Sequence, residues 1–193
     1  MFLFSCKLEP CKDYSCVNGQ ALEDGKNCIC LCDLGWDGND CTVEDKCVTH
    51  HVVCYNGGYC TGSTGLCTCT SGYEGDSCQT LSREKFLESS GDSASLWDAT
   101  DTCGTLVYQY AVRMEPGSDN RTLEIYNIRA LSVSNFITAN VSKMNLDQRN
   151  DVVIGLVEIR DLHGTLSSNF NTVRVTYQSD EGVTSNCKGN WNR

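Results

Sequence analysis

Thirteen of the chain's fifteen cysteines lie between Cys6 and Cys78, and only Cys103 and Cys187 follow. That distribution constrains the fold more than any other feature. A stretch so dense in cysteine argues against a reducing compartment, where thiols stay free, and too few apolar residues lie between them for a core. It is expected to be a set of small modules held by disulfides in an oxidising, extracytoplasmic setting. The remaining part must fold on a core of its own. The total is also odd, so one cysteine has no partner within the chain.

Charge excludes several function classes. The chain of 193 residues carries 15 Lys/Arg against 25 Asp/Glu, a net charge of −10. No basic patch exists to hold a phosphate backbone, so no nucleic-acid partner is expected. The longest apolar run, Met1-Phe2-Leu3-Phe4, is far short of the roughly 20 residues of a membrane-spanning helix.

Cys47, Cys54, Cys60, Cys67, Cys69 and Cys78 follow the spacing C-x6-C-x5-C-x6-C-x-C-x8-C, with Asn56-Gly57-Gly58 after the second cysteine and Gly72 and Gly75 before the last. Asn-Gly-Gly suits the positive-φ turn of a small hairpin. The C-x-C pair sends its sulfurs to opposite faces of one strand, so they need different partners. Six cysteines allow fifteen pairings. This segment, 47–78, resembles an EGF-like module, which implies Cys47–Cys60, Cys54–Cys67 and Cys69–Cys78. The first cluster has seven cysteines and ends in the same way, with Cys30-Leu31-Cys32, Gly35-Trp36-Asp37-Gly38 and Cys41. Starting a second EGF-like module at Cys11 puts Asn18-Gly19 in the expected loop. The resemblance then implies Cys11–Cys28, Cys16–Cys30 and Cys32–Cys41 over 11–41, and leaves Cys6 over. A frame beginning at Cys6 would leave Cys28 instead. EGF-like modules that bind calcium carry oxygen ligands four residues before the first cysteine and just before it. Those positions are Val43 and Lys46 in one module and Lys7 and Pro10 in the other, so no calcium or other metal is expected. Asp40 and Ser77 stand where growth-factor ligands of this type carry an arginine.

Cys6 follows Leu3-Phe4-Ser5, which resembles the end of a bacterial lipobox, with an apolar residue at −3 and a small one at −1. The resemblance implies lipidation of Cys6, with 1–10 as signal remnant, lipobox and tether. A signal peptide needs about 7–15 apolar residues. Five residues are too few, so the expectation carries a corollary: Met1 is either a late start or the beginning of a fragment. The alternative for Cys6 is a free or partner-bonded thiol.

Beyond a connector, 79–94, the sequence alternates with period two. Leu106, Tyr108, Tyr110, Val112 and Met114 form one face, Ile137, Ala139 and Val141 another, Val153, Val157 and Ile159 a third, then Leu162, Gly164 and Leu166, and finally Val173, Val175 and Tyr177. Turn chemistry at 116–120, 147–150 and 179–182 separates the runs. Residues 95–193 are therefore expected to form an antiparallel β-barrel or β-sandwich, which makes the chain mainly β. A Cys103–Cys187 bond would require its first and last strands to be neighbours, and so a closed sheet. Arg83-Glu84-Lys85-Phe86-Leu87 before a strand and a cysteine, with lipobox, EGF-like pair and β-domain in that order, is similar to small surface lipoproteins of Gram-negative bacteria.

Catalytic chemistry is not expected. His50-His51 lie in a module loop, His163 stands alone, and no cofactor motif occurs. Asn120-Arg121-Thr122 and Asn140-Val141-Ser142 fit the N-glycosylation triplet. The combined expectation is a non-enzymatic protein of the outer membrane, anchored to the bilayer through Cys6 and exposed at the cell surface, with a structural, adhesive or partner-binding role toward a protein or envelope complex. Two alternatives stand beside it: a carrier of a small apolar ligand in a hollow barrel, and a secreted animal EGF-type adhesion or signalling fragment.

Overall fold

The computed structural model describes residues 11–87 and 94–193. The chain divides into two compact units: residues up to 69 with 76–78, and residues 70–75 with 79–193.

The first unit is built of hairpins and sulfur. Strands β1 (Gly19–Asp24) and β2 (Asn27–Cys32) pair antiparallel, with Gly25 at φ +65° in the turn between them. β3 (Trp36–Asp37) and β4 (Val43–Glu44) make a second, minimal pair. Helix α1 (Lys46–Thr49) is a single turn, capped by the Asp45 carboxylate, which accepts from the Cys47 N–H. β5 (Tyr59–Thr61) and β6 (Leu66–Thr68) form the hairpin of the second module. Its last loop contributes β7 (Tyr73–Glu74), which pairs with β8 (Thr80–Leu81) as part of the second unit.

The second unit is an eight-stranded antiparallel β-barrel. Its strands are β9 (Ser95–Cys103), β10 (Leu106–Pro116), β11 (Thr122–Tyr126), β12 (Phe136–Ser142), β13 (Asn145–Gln148), β14 (Val152–Ile154), β15 (Val157–Leu166), β16 (Thr172–Asp180) and β17 (Thr184–Asn192). Neighbours follow chain order from β9 to β13, and β13 and β14 act as one broken strand. β13 pairs with the end of β15, and β14 with its start. β17 returns to β9 and closes the ring, with Cys187 directly opposite Cys103. Where β15 runs beside β16 the register slips between Arg160 and His163, and Asp161 takes φ +51°. That bulge moves the inward-facing residues from Val157 and Ile159 to Leu162, Gly164 and Leu166.

Side chains fill the barrel. Trp97, Trp191, Phe86, Met114, Ile137 and Leu162 are among its largest fully buried members. Eight strands enclose a space about wide enough for side chains alone, and this one is occupied. The hollow-carrier alternative is corrected accordingly: the interior is a packed core. Two details also depart from the alternation read in sequence. Val153 does not share a face with Val157 and Ile159; it points outward, and Ile154 is buried. The two-residue turn Gly155-Leu156 reverses the parity between β14 and β15. The connector 79–94 is, as far as residue 87, part of the barrel: a 3-10 turn at Ser82–Phe86 sets Phe86 and Leu87 in the core.

Candidate functional site

Seven disulfides order the chain: Cys11–Cys28, Cys16–Cys30, Cys32–Cys41, Cys47–Cys60, Cys54–Cys67, Cys69–Cys78 and Cys103–Cys187. They use fourteen of the fifteen cysteines. The fifteenth, Cys6, proposed to be lipidated, lies outside the described residues, as does the rest of 1–10. Each module repeats one device. Asn18 donates its amide to the Cys41 carbonyl at 3.0 Å, and Asn56 donates to that of Cys78 at 2.8 Å. Both cysteines have positive φ, 55° and 58°. The Asn side chain thus holds the last cysteine in a conformation that most residues avoid.

The histidines are dispersed. His50 faces Glu44 at 3.6 Å across a largely exposed contact, and His163 meets Asp147 at 2.6 Å on the outside of the barrel. Among the described residues, no group of three or more His, Cys, Asp or Glu converges as metal ligands would.

The most concentrated chemistry lies inside the barrel near the Cys103–Cys187 bond. Asp101 is inward-facing on β9 and fully buried. Its Oδ2 accepts from the hydroxyls of Tyr177, at 2.6 Å, and Tyr110; its Oδ1 accepts from Trp191 Nε1 at 3.0 Å. Four strands, β9, β10, β16 and β17, therefore meet on one carboxylate. Gly189 faces it from β17, and a Cβ there would lie 1.8 Å from Oδ1. Burial, followed by the Asp101 charge, pushes the Tyr110 hydroxyl far above its ordinary pKa. Burial, followed by the Tyr110 and Asp101 charges, does the same for Tyr177. Both stay protonated and donate, so three donors converge on the one carboxylate.

Above this layer, Arg129 plugs the barrel mouth. It comes from the link between β11 and β12, where Asn127, Arg129 and Ala130 all have positive φ. Its guanidinium donates to Ser179 Oγ and, at 2.6 Å, to the Tyr108 hydroxyl, and it pairs with Glu181 at 2.6 Å. The Tyr108 ring lies 4.5 Å from it. At the other end of the barrel, Trp97 Nε1 donates to the Phe86 carbonyl at 3.2 Å, and Arg193 covers the Trp97 ring while donating to the Leu87 carbonyl at 2.9 Å. Sequence reading missed Asp101 and Arg129. A buried acid occupies a strand position as readily as a solvated one, and only the parity Trp97, Ala99, Asp101 could have marked it.

No family model matches the chain. It is similar to the mouse basement membrane-specific heparan sulfate proteoglycan core protein, at 34% identity over 86 residues, 40% of this chain and 2% of that protein. It is also similar to the Caenorhabditis elegans protein irg-7, at 35% identity over 65 residues, 34% of this chain and 2% of that protein. The chain thus spans about 2% of the length of these relatives. The similarity to a matrix proteoglycan, with the disulfide-rich hairpins, fits EGF-like modules in an extracellular or secreted setting.

Proposed function

We propose that the chain is a lipid-anchored, surface-exposed and non-catalytic protein of a Gram-negative outer membrane, in which the EGF-like modules form a disulfide-stiffened stalk and the barrel engages a partner. The observation that carries this reading is the disposition of sulfur. Seven bonds take up every cysteine but Cys6. Cys6 is also preceded by Leu3 at −3 and Ser5 at −1. A thioether lipid needs a cysteine outside the disulfide framework, and two or more acyl chains hold a protein on a bilayer far better than one. The Asp101 cluster supports a structural role: the carboxylate is fully buried and accepts from three side chains on three other strands.

Intact mass of the protein from its native source tests the anchor. A mature chain beginning at Cys6 and carrying diacylglycerol mass is expected. A Cys6 without acyl mass, with residues 1–5 still attached, would sink it. The similarity to the mouse basement membrane-specific proteoglycan core protein favours a second reading, a secreted adhesion or signalling protein. Glycans at Asn120 or Asn140, sought by peptide mapping of the secreted form, would favour that reading, and a bacterial genomic context would eliminate it.

A further inference from the structure

A groove of about 570 Å3 crosses the outer wall of the barrel, where β9, β17, β16 and β15 run side by side. Sites for small ligands measure about 300–1,000 Å3. Six polar side chains line it: Thr102, Asp161, Thr176, Gln178, Asn186 and Lys188. The register makes them one surface. Thr102, Lys188 and Thr176 lie opposite one another in a row across β9, β17 and β16, and Asn186 and Gln178 form the next row. Asp161 joins them through the bulge, which puts both Arg160 and Asp161 on the outside. Bulges often re-aim a side chain beside a site. Tyr177 and Cys187 also border the groove but are buried toward the interior, so no exposed aromatic or aliphatic side chain lies in it.

The side chains of this groove are uncommitted. Among the described residues, none of the six makes a side-chain hydrogen bond or ion pair, and Asp161 and Lys188 do not pair with each other. Polar neighbours on the same wall are paired: Arg160 with Glu158 and Asp180, His163 with Asp147, Thr165 with Asn145, and Thr172 with Asn192. The groove thus offers one carboxylate, one ammonium, two amides and two hydroxyls, a set that donates and accepts at once. That set discriminates among ligands. One carboxylate is too few for a hard cation. One ammonium balanced by one carboxylate has no hold on a polyanion. An adjoining groove of about 370 Å3, which shares Thr176, adds Arg174, so the excess over both is a single charge. An apolar ligand would leave these groups without partners. A ligand rich in hydroxyls satisfies donors and acceptors together, and two contiguous grooves suit a chain of units. We propose that this wall of the barrel binds an uncharged oligosaccharide, whose hydroxyls donate to Asp161 and accept from Lys188, Gln178 and Asn186. The inference rests on the partner-binding reading above, names the ligand class, and does not depend on the Cys6 anchor.

The test is a titration of the isotope-labelled full chain, with disulfides intact, followed by NMR. The probes are maltohexaose, chitohexaose, hexagalacturonate and an extended Ser–Gly dodecapeptide. A neutral hexasaccharide is expected to bind with a Kd of about 1 mM or tighter. It should shift the amides around Thr102, Asp161, Thr176, Gln178, Asn186 and Lys188 ahead of those of β11 and β12. The double variant Asp161→Asn/Gln178→Ala should weaken that binding at least about tenfold. Asp98→Asn, on the outer face of β9 beyond the groove, should leave it unchanged. The substituted side chains make no bond to the described residues, so circular dichroism should report an intact barrel. No shift in the groove with either neutral hexasaccharide overturns the proposal. Binding of hexagalacturonate alone, lost at about 0.5 M salt, also overturns it, because that is charge attraction. Equal binding of the dodecapeptide assigns the groove to a polypeptide and overturns it too. Each outcome leaves the Cys6 anchor to be judged on its mass alone.

Discussion

Asp101→Ala is the most demanding test of how the barrel is held. The carboxylate is fully buried and accepts from Tyr177 at 2.6 Å, from Trp191 at 3.0 Å and from Tyr110. Removing it leaves two buried donors, Tyr177 and Trp191, and the half-buried Tyr110 without this acceptor, and a buried unsatisfied donor costs about 1–3 kcal/mol. The three share one acceptor, so their losses are coupled and do not simply add. A total of about 4–6 kcal/mol is expected, a large part of the roughly 5–15 kcal/mol by which a domain is stable. Asp101→Asn keeps one oxygen and the shape, and its NH2 can donate to a tyrosine hydroxyl turned to accept. Its cost should be about 2 kcal/mol. Asp98→Ala, on the exposed face of the same strand, should stay within about 0.5 kcal/mol of wild type. Urea unfolding with the disulfides intact, followed by Trp fluorescence, reports directly because Trp97 and Trp191 are both buried in the barrel core. The midpoint should fall in the order Asp98→Ala, Asp101→Asn, Asp101→Ala, with an unchanged m-value. An Asp101→Ala barrel within about 1 kcal/mol of wild type would refute the claim that this carboxylate joins the four strands.

The tyrosines of the same cluster give a pH prediction. Their folded pKa values are raised above the unfolded value near 10, so the folded state holds more protons than the unfolded state above that pH. Stability should be fully present below about pH 10 and fall above it, by about 1.4 kcal/mol per pH unit for each of Tyr110, Tyr177 and Tyr126, the last raised to about 12 by burial and Glu124; Tyr177→Phe should cut the slope seen in urea titrations between pH 10 and 11.5 by about a third. Gly189→Ala should destabilise by about 1–3 kcal/mol, because its Cβ would meet Asp101 Oδ1 at 1.8 Å, and a shifted urea midpoint would show it. Phe86→Ala should lower barrel stability by about 3–5 kcal/mol, as for a core residue; a loss under about 1 kcal/mol would return 82–87 to the status of a linker. Asn56→Ala should expose the second module's last cysteine to faster reduction by dithiothreitol, read by mass-resolved alkylation, since the Asn amide bonds the carbonyl of Cys78, which sits at φ +58°.

What the sequence made legible and what it hid follow from the same property of strands. Period two reports which residues share a face, so Ile137, Ala139 and Val141, and Val173, Val175 and Tyr177, announced inward faces that the barrel contains. Even the bulge was written there, because the apolar parity changes from Val157 and Ile159 to Leu162 and Leu166, and a strand can change parity only by an extra residue on one side. Closure was legible too: Cys103 and Cys187 stand at the two ends of the domain, and their union makes β9 and β17 neighbours. Period two cannot report polarity reversed on purpose. On β9 the inward set is Ser95, Trp97, Ala99, Asp101 and Cys103, while Leu96 faces solvent. An acid there reads as an exposed residue until Tyr110, Tyr177 and Trp191 arrive from strands up to 90 residues away. The same holds for Arg129, whose partners Tyr108, Ser179 and Glu181 come from both sides of it in the chain. A local rule sees neither set. Each residue is affordable inside only because distant strands satisfy it. The polar centre of this barrel is therefore a property of its closure, and a substitution at Gly189, opposite Asp101 on the closing seam, should disturb Asp101 before it disturbs any single strand.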